Sequence, residues 1–97
     1  MLEQPPSFIT KWGSMGVGDG QFDFPRGVAL DYSDNVYVAD RQNNRIQKFD
    51  SDGTFITKWG SKGAGDGQFD FPDGVALDYS DNVYVADNSN NRIQKFG

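Results

Sequence analysis

The chain has 97 residues, a formal net charge of −5, and neither cysteine nor histidine. Those absences remove disulfides and thiolate chemistry, together with the commonest transition-metal ligand and neutral-pH proton carrier. The acidic balance favours solubility and opposes non-specific attraction to nucleic acid or anionic lipid.

The start, Met1-Leu2-Glu3-Gln4-Pro5-Pro6, has no basic region followed by an apolar stretch, so no signal peptide is read there. No apolar run nears the length of a membrane span, and a cytosolic or recombinant origin is the default expectation. Phe8–Trp12 then has the alternating character of a strand, and a glycine-rich connection follows, read as flexible. Pro25-Arg26-Gly27 introduces apolar Val28–Asp31, which the polar stretch to Asn35 interrupts. Asn35–Ala39 is β-branched and aromatic, Gln42-Asn43-Asn44 breaks it, and Arg45–Phe49 follows. Asp50-Ser51-Asp52-Gly53 is a turn, and Phe55–Trp59 alternates again. Short strands at turn-punctuated intervals predict an antiparallel meander. No window holds a helical period.

Phe55–Phe96 then restates Phe8–Phe49, with 37 of 42 aligned positions identical. A repeat of this length marks a solenoid or propeller. Strands a (Val28–Asp31) and b (Asn35–Ala39) are apolar on both faces, whereas c (Arg45–Phe49) and d (Phe55–Trp59) mix in lysine, glutamine and threonine. That gradient suits a radial sheet with strand a near an axis and strand d at the rim. The fold expected is all-β: a β-propeller of four-stranded antiparallel blades, two blades per chain.

Gly18–Phe22, Phe24–Asp31, Asn35–Asp40 and Asn44–Phe49, recurring at Gly65–Phe69, Phe71–Asp78, Asn82–Asp87 and Asn91–Phe96, resemble the NHL repeat. One departure is that the name-giving Asn-His position reads Asn43-Asn44 and Asn90-Asn91. The resemblance implies a β-propeller, commonly six-bladed, used mostly as a protein- or RNA-binding platform. A lyase branch of the family uses metal held by histidines, which this chain lacks.

The organisation expected is Phe8–Trp12 as a strand d that completes a neighbouring chain's blade, residues 25–60 as the first complete blade, and residues 72–96 as strands a, b and c of a second blade completed by another chain. Two stacked blades leave two apolar faces wet, and repeats of this kind need about three units. Head-to-tail contact between copies closes a ring if the rotation fits. The expected assembly donors are Phe8, Ile9, Thr10, Lys11 and Trp12. The acceptors are Arg92, Ile93, Gln94, Lys95 and Phe96. Six blades make a homotrimer and eight a tetramer. The near-identity of the copies, and the stop one residue past strand c, point to a constructed or reconstructed symmetric sequence.

The copies differ at Met15/Lys62, Val17/Ala64, Arg26/Asp73, Arg41/Asn88 and Gln42/Ser89. In a meander the d–a and b–c connections share one side, so these differences mark one face. Arg26, Arg41, Gln42, Lys62, Asp73, Asn88 and Ser89 are its candidate binding residues. With Arg45 and Arg92, that face offers five positive charges against seven from Asp19, Asp23, Asp40, Asp66, Asp70, Asp73 and Asp87, a weak phosphate footprint. Arg26 and Asp73 would alternate around the channel mouth, where an exposed pair contributes about 0–1 kcal/mol. Asp40/Arg45 and Asp87/Arg92 bracket the b–c loop and are placed to pair structurally. Asp50-Ser51-Asp52-Gly53 resembles the opening of a calcium loop without its remaining acidic ligands and reads better as a tight turn. Gly16–Gly20 lacks the Lys-Ser/Thr of a phosphate cradle. No catalytic residue, metal site or cofactor is expected. The function expected is a self-assembling scaffold, and the alternative is a protein- or RNA-binding module excised from a larger propeller.

Overall fold

The computed structural model describes residues 4–97; Met1–Glu3, at the start read for a leader sequence, lie outside it. Among the described residues seven strands form two antiparallel sheets. The first is β1 (Pro25–Leu30), β2 (Val36–Asp40), β3 (Arg45–Phe49) and β4 (Phe55–Trp59), in that order. The second is β5 (Pro72–Leu77), β6 (Val83–Asp87) and β7 (Arg92–Phe96). Each is an up-and-down meander, so the predicted blade is present, complete once and three-stranded once. Strand a begins three residues before the expected Val28, because Pro25 pairs with Asp40 across an irregularity that ends at Val28. Single 3₁₀ turns, Arg41–Asn43 and Asn88–Asn90, close the b–c hairpins, each ended by an asparagine in the left-handed region. Asparagine tolerates that region because its short polar side chain bonds locally.

The turns are built from their own carboxylates. Asp31 Oδ1 accepts the N–H groups of Ser33 and Asn35, both at 2.9 Å, and Asp31 Oδ2 accepts from Asn35 Nδ2 and the Tyr37 hydroxyl. Asp78 repeats the pattern with Ser80, Asn82 and Tyr84. Asp50 Oδ1 accepts from the N–H groups of Asp52 and Thr54, so this carboxylate is already engaged by its own turn.

These bonds have a titration signature. Hydrogen bonds from the Asn82 side chain and backbone hold Asp78 down to about 2, against an ordinary 3.8. For Asp31, burial pushes the carboxyl up but is outweighed by Asn35, Tyr37 and Ser33, and the net direction is down. A carboxyl with a depressed folded value stabilises fully above its unfolded value, and that contribution fades as pH falls through the folded one. Stability should therefore rise from about pH 2 to about pH 5 and stay flat to about pH 8, since no histidine titrates. Urea midpoints across that range check the shape, and Asn82→Ala should move the NMR titration of Asp78 upward.

The connector residues 13–22 are not the flexible link that their glycines predict. Gly18 N–H donates to Gln21 Oε1 at 3.0 Å, and Met15 and Phe22 form an isolated parallel bridge. The Arg45 guanidinium clamps the connector by donating to the carbonyls of Val17, Gly18 and Gln21, each at 2.9 Å.

The main core lies between the sheets. Tyr37, Ala39 and Ile46 from the first blade meet Phe69, Val83 and Val85 around the second. Trp59, Val75, Leu77 and Phe96 pack against this cluster. The inner strands approach so closely that a Cβ on Gly27 would lie 2.6 Å from the Asp73 carbonyl oxygen.

Candidate functional site

Comparing the copies shows which surfaces await cover. Val75 and Leu77 pack into the blade–blade core, yet their equivalents Val28 and Leu30 are 63% and 56% exposed. Ile46 is fully buried, whereas its equivalent Ile93 is 66% exposed. The first blade thus leaves open the face that the second buries, and the second leaves open the face that the first buries. Each kind of face already meets its complement once inside the molecule.

The expected strand donor occupies one of these flanks. Phe8–Trp12 has no strand partner among the described residues, and Phe8 and Ile9 are 77% and 89% exposed. Trp12 packs on Phe49 at a ring-centroid distance of 5.7 Å, as Trp59 packs on Phe96 at 5.6 Å. The segment therefore stands before the first blade, where a preceding blade's outer strand belongs. The expected acceptor residues Arg92–Phe96 are β7, an edge strand on the opposite flank. The equivalent β3 carries β4 on that edge, with Ile46 opposite Trp59, Gln47 opposite Lys58, Lys48 opposite Thr57 and Phe49 opposite Phe55.

Of the variable-face residues, the structure gathers Arg26, Arg41, Asp73 and Asn88 at the seam between blades. Arg41 Nε donates to Asp73 Oδ1 at 3.1 Å and is the closer partner; Arg26 Nε lies 3.6 Å from the same oxygen. Asn88 donates to the other Asp73 oxygen. Asp73 thus ties two blades through Arg41, a contact the sequence reading did not pair. Gln42 and Ser89 are exposed side chains whose N–H groups donate to the carbonyls of Asp23 and Asp70. Lys62 is exposed on a connector, among none of these contacts.

Asp40 and Arg45 do pair, with Arg45 Nε donating to Asp40 Oδ2 at 2.7 Å. Burial makes the pair more than the cross-hairpin contact expected from sequence: Asp40 is fully buried and also accepts from Asp23 N–H, Asn43 Nδ2 and Gln47 Nε2. Asp87 repeats this with Asp70, Asn90, Arg92 and Gln94. Burial pushes the Asp87 carboxyl up, and the donated bonds from Asp70, Asn90 and Arg92 outweigh it, leaving it below the ordinary range. Every oxygen is engaged, so the network acts as a brace between hairpin and connector. Among the described residues, no group of three or more acidic side chains is placed to hold a metal ion, and no helix is long and apolar enough to cross a membrane.

Sequence reasoning missed Asn44 and Phe71. Asn44 is buried, and its Oδ1 accepts the Phe71 N–H of the next blade at 2.8 Å. Arg41 lies over the Phe71 ring at 4.7 Å. The repetition of Asn44 as Asn91 was visible, but not that the side chain leaves its own blade.

The family described as "NHL repeat" matches residues 22–49 and 69–96, which hold β1 to β3 and β5 to β7, each set together with the end of the connector before it. The chain belongs to the NHL repeat family. It is 49% identical over 45 residues to Protein lin-41 of Caenorhabditis elegans, covering 46% of this chain and 4% of that protein. It is 41% identical over 54 residues to NHL repeat-containing protein 3 of Homo sapiens, covering 54% of this chain and 16% of that one. The crystal structure of an auxiliary nutrient binding protein from Bacteroides thetaiotaomicron superposes on 87% of this chain and 26% of its own, with a TM-score of 0.68 and 22% identity, a likeness of fold. The NHL chain described here thus spans a small part of the relatives it matches, and its sheets are blades of a β-propeller.

Proposed function

We propose that this NHL chain is a self-assembling propeller scaffold without a catalytic role. The observation that carries this is the internal interface: Val75 and Leu77 pack into a core that includes Ile46, while their equivalents Val28 and Leu30 on one flank and Ile93 on the other are exposed. Head-to-tail docking repeats it, and three chains complete six blades. In that ring Phe8–Trp12 of one chain adds to β7 of the preceding one. The β3–β4 register, carried over, sets Trp12 opposite Ile93, Lys11 opposite Gln94, Thr10 opposite Lys95 and Phe8 opposite Phe96. Adding the strand also covers an edge that would otherwise template aggregation. Residues 25–60 then form the self-contained blade and residues 72–96 the shared one. The near-identity of the copies supports a constructed or reconstructed sequence.

Sedimentation equilibrium tests the reading: three times the single-chain mass is expected, and a cooperative, well-folded single chain in dilute buffer overturns it. Glycine supplies a sharper variant. A Cβ on Gly74 has only Ala86 Cβ nearby, at 3.7 Å, so Gly74→Ala leaves the chain's own fold intact. In the ring that Cβ meets the neighbour's backbone, as Gly27 shows inside the chain, so Gly74→Ala should block assembly. Gly27→Ala should instead lower the stability of the chain itself, by about 1–3 kcal/mol in urea unfolding, because backbone must move.

A second reading is supported by the small share of each relative that the chain spans: a binding module whose flanks further blades would cover and whose variable face takes a protein or RNA. It expects a monomer that binds single-stranded RNA or peptide in a low-salt screen.

A further inference from the structure

We infer that Asn91 of one chain is a latch that holds Phe24 of the next, a contact that rests on the head-to-tail reading and adds to strand exchange a second tie at the other face of the junction. The starting observation is a pair of phenylalanines in a backbone conformation that side chains resist. Phe24 and Phe71 both have positive φ, at 53° and 56°. Such residues are strained and persist only where surroundings hold them.

For Phe71 the surroundings are plain. The Asn44 side chain of the preceding blade accepts its N–H at 2.8 Å. The Asn44 carbonyl oxygen sits 3.0 Å from where a Cβ on Gly60 would be, so the left-handed asparagine is seated against the connector as well. Beneath it Phe69 and Pro72 are fully buried. Around Phe24 the same parts stand open. Phe24 is 65% exposed, Pro25 is exposed, and no side chain among the described residues accepts the Phe24 N–H. For Gly13, the equivalent of Gly60, the nearest atoms are those of Phe22 and the Gly20 carbonyl, with no asparagine carbonyl at the 3.0 Å seen beside Gly60. A cavity of about 430 Å³, lined by Trp12, Gly13, Phe22, Phe24 and Pro25, occupies the place that Asn44 fills in the second copy.

The missing plug is on the opposite flank. Asn91 ends the second 3₁₀ turn at φ 55°, within two degrees of Asn44 at 53°, and is exposed where Asn44 is buried. It therefore has the amide, the backbone conformation and the accessibility that the socket requires. Beside it the junction differs from the internal seam. Asn88 stands where Arg41 does, and the next chain's Arg26 where Asp73 does. The chain–chain tie is thus an amide latch without the Arg41–Asp73 ion pair.

The experiment compares the wild-type chain with Asn91→Gly, which keeps the left-handed backbone and removes the acceptor, and Asn91→Asp, which restores an acceptor. In the assembled wild type both Phe24 and Phe71 amides should exchange slowly with solvent. Asn91→Gly should leave Phe71 protected, free the Phe24 amide, and weaken association roughly three- to tenfold per junction, the effect of one net hydrogen bond. Asn91→Asp should recover most of both. Asn44→Gly is the internal control and should free Phe71 alone. A ring in which Phe24 exchanges freely, or one whose affinity and Phe24 protection ignore Asn91→Gly, overturns the latch while leaving self-assembly standing. A wild-type chain that stays monomeric overturns both.

Discussion

Deleting residues 1–12 should convert the proposed ring to single chains. The segment's described residues, 4–12, contribute nothing to sheet pairing in their own molecule, so the two blades and the core between them can still form. What is lost lies at the junction: a row of backbone hydrogen bonds along β7, and the side chains of Phe8 and Trp12 beside Phe96 and Ile93. Truncating a buried tryptophan alone costs about 3–5 kcal/mol, and Trp12 approaches that burial only once a neighbour's sheet lies beneath it. That range corresponds to roughly 10²–10⁴ in the equilibrium constant for each junction. Some effect will also be felt inside the chain, because Trp12 covers Phe49 there. Circular dichroism should therefore show retained β structure with a lowered melting temperature. Sedimentation should show the single-chain mass. A truncated chain that formed the same oligomer would defeat strand exchange and leave flank docking as the sole source of assembly.

Asp40→Ala should have the largest effect on the fold itself. The carboxylate is fully buried, and the side chain of Arg45 is only 8% exposed. Removing the acid leaves Arg45 Nε, Asn43 Nδ2, Gln47 Nε2 and the Asp23 N–H without their common acceptor. Breaking a buried ion pair from one side costs about 3–5 kcal/mol because the remaining charge stays desolvated. Against a total stability of about 5–15 kcal/mol for a small domain, such a loss brings unfolding close to ambient conditions. The equivalent Asp87→Ala should cost less in the single chain, since the Arg92 side chain is 29% exposed and water can reach it. In the assembled state the two substitutions should converge as the next chain's connector covers Arg92. Urea unfolding of both variants, at dilutions above and below the assembly threshold, separates these cases. An Asp40→Ala chain within about 1 kcal/mol of wild type would show that the network is not the brace described here.

The contrast between the two aspartates illustrates how much of the fold was legible beforehand. The strands, their order and the turn carboxylates were readable because each rests on near neighbours: Asp31 with Asn35, Asp50 with Thr54, Asp40 with Arg45. The extended reach of those residues was not. Arg45 holds carbonyls 24 to 28 positions away, and nothing in a local pattern distinguishes such a side chain from an exposed hairpin charge. The glycine-rich connector reads as flexible for the same reason, since the groups that order it arrive from strand β3 and from Asn43 in the 3₁₀ turn before it.

The amino-acid sequence by itself determined that this protein is a pair of near-identical all-β units with the spacing of NHL blades, because repetition and alternation survive without any knowledge of neighbours. Tertiary structure alone decided that identical residues are unequal. Ile46 is sealed while Ile93 is wet, and Asn44 is seated while Asn91 is free. The physical reason is that burial belongs to a pair of surfaces rather than to a residue: a two-blade stack closes one such pair and leaves its two halves facing outward on opposite sides.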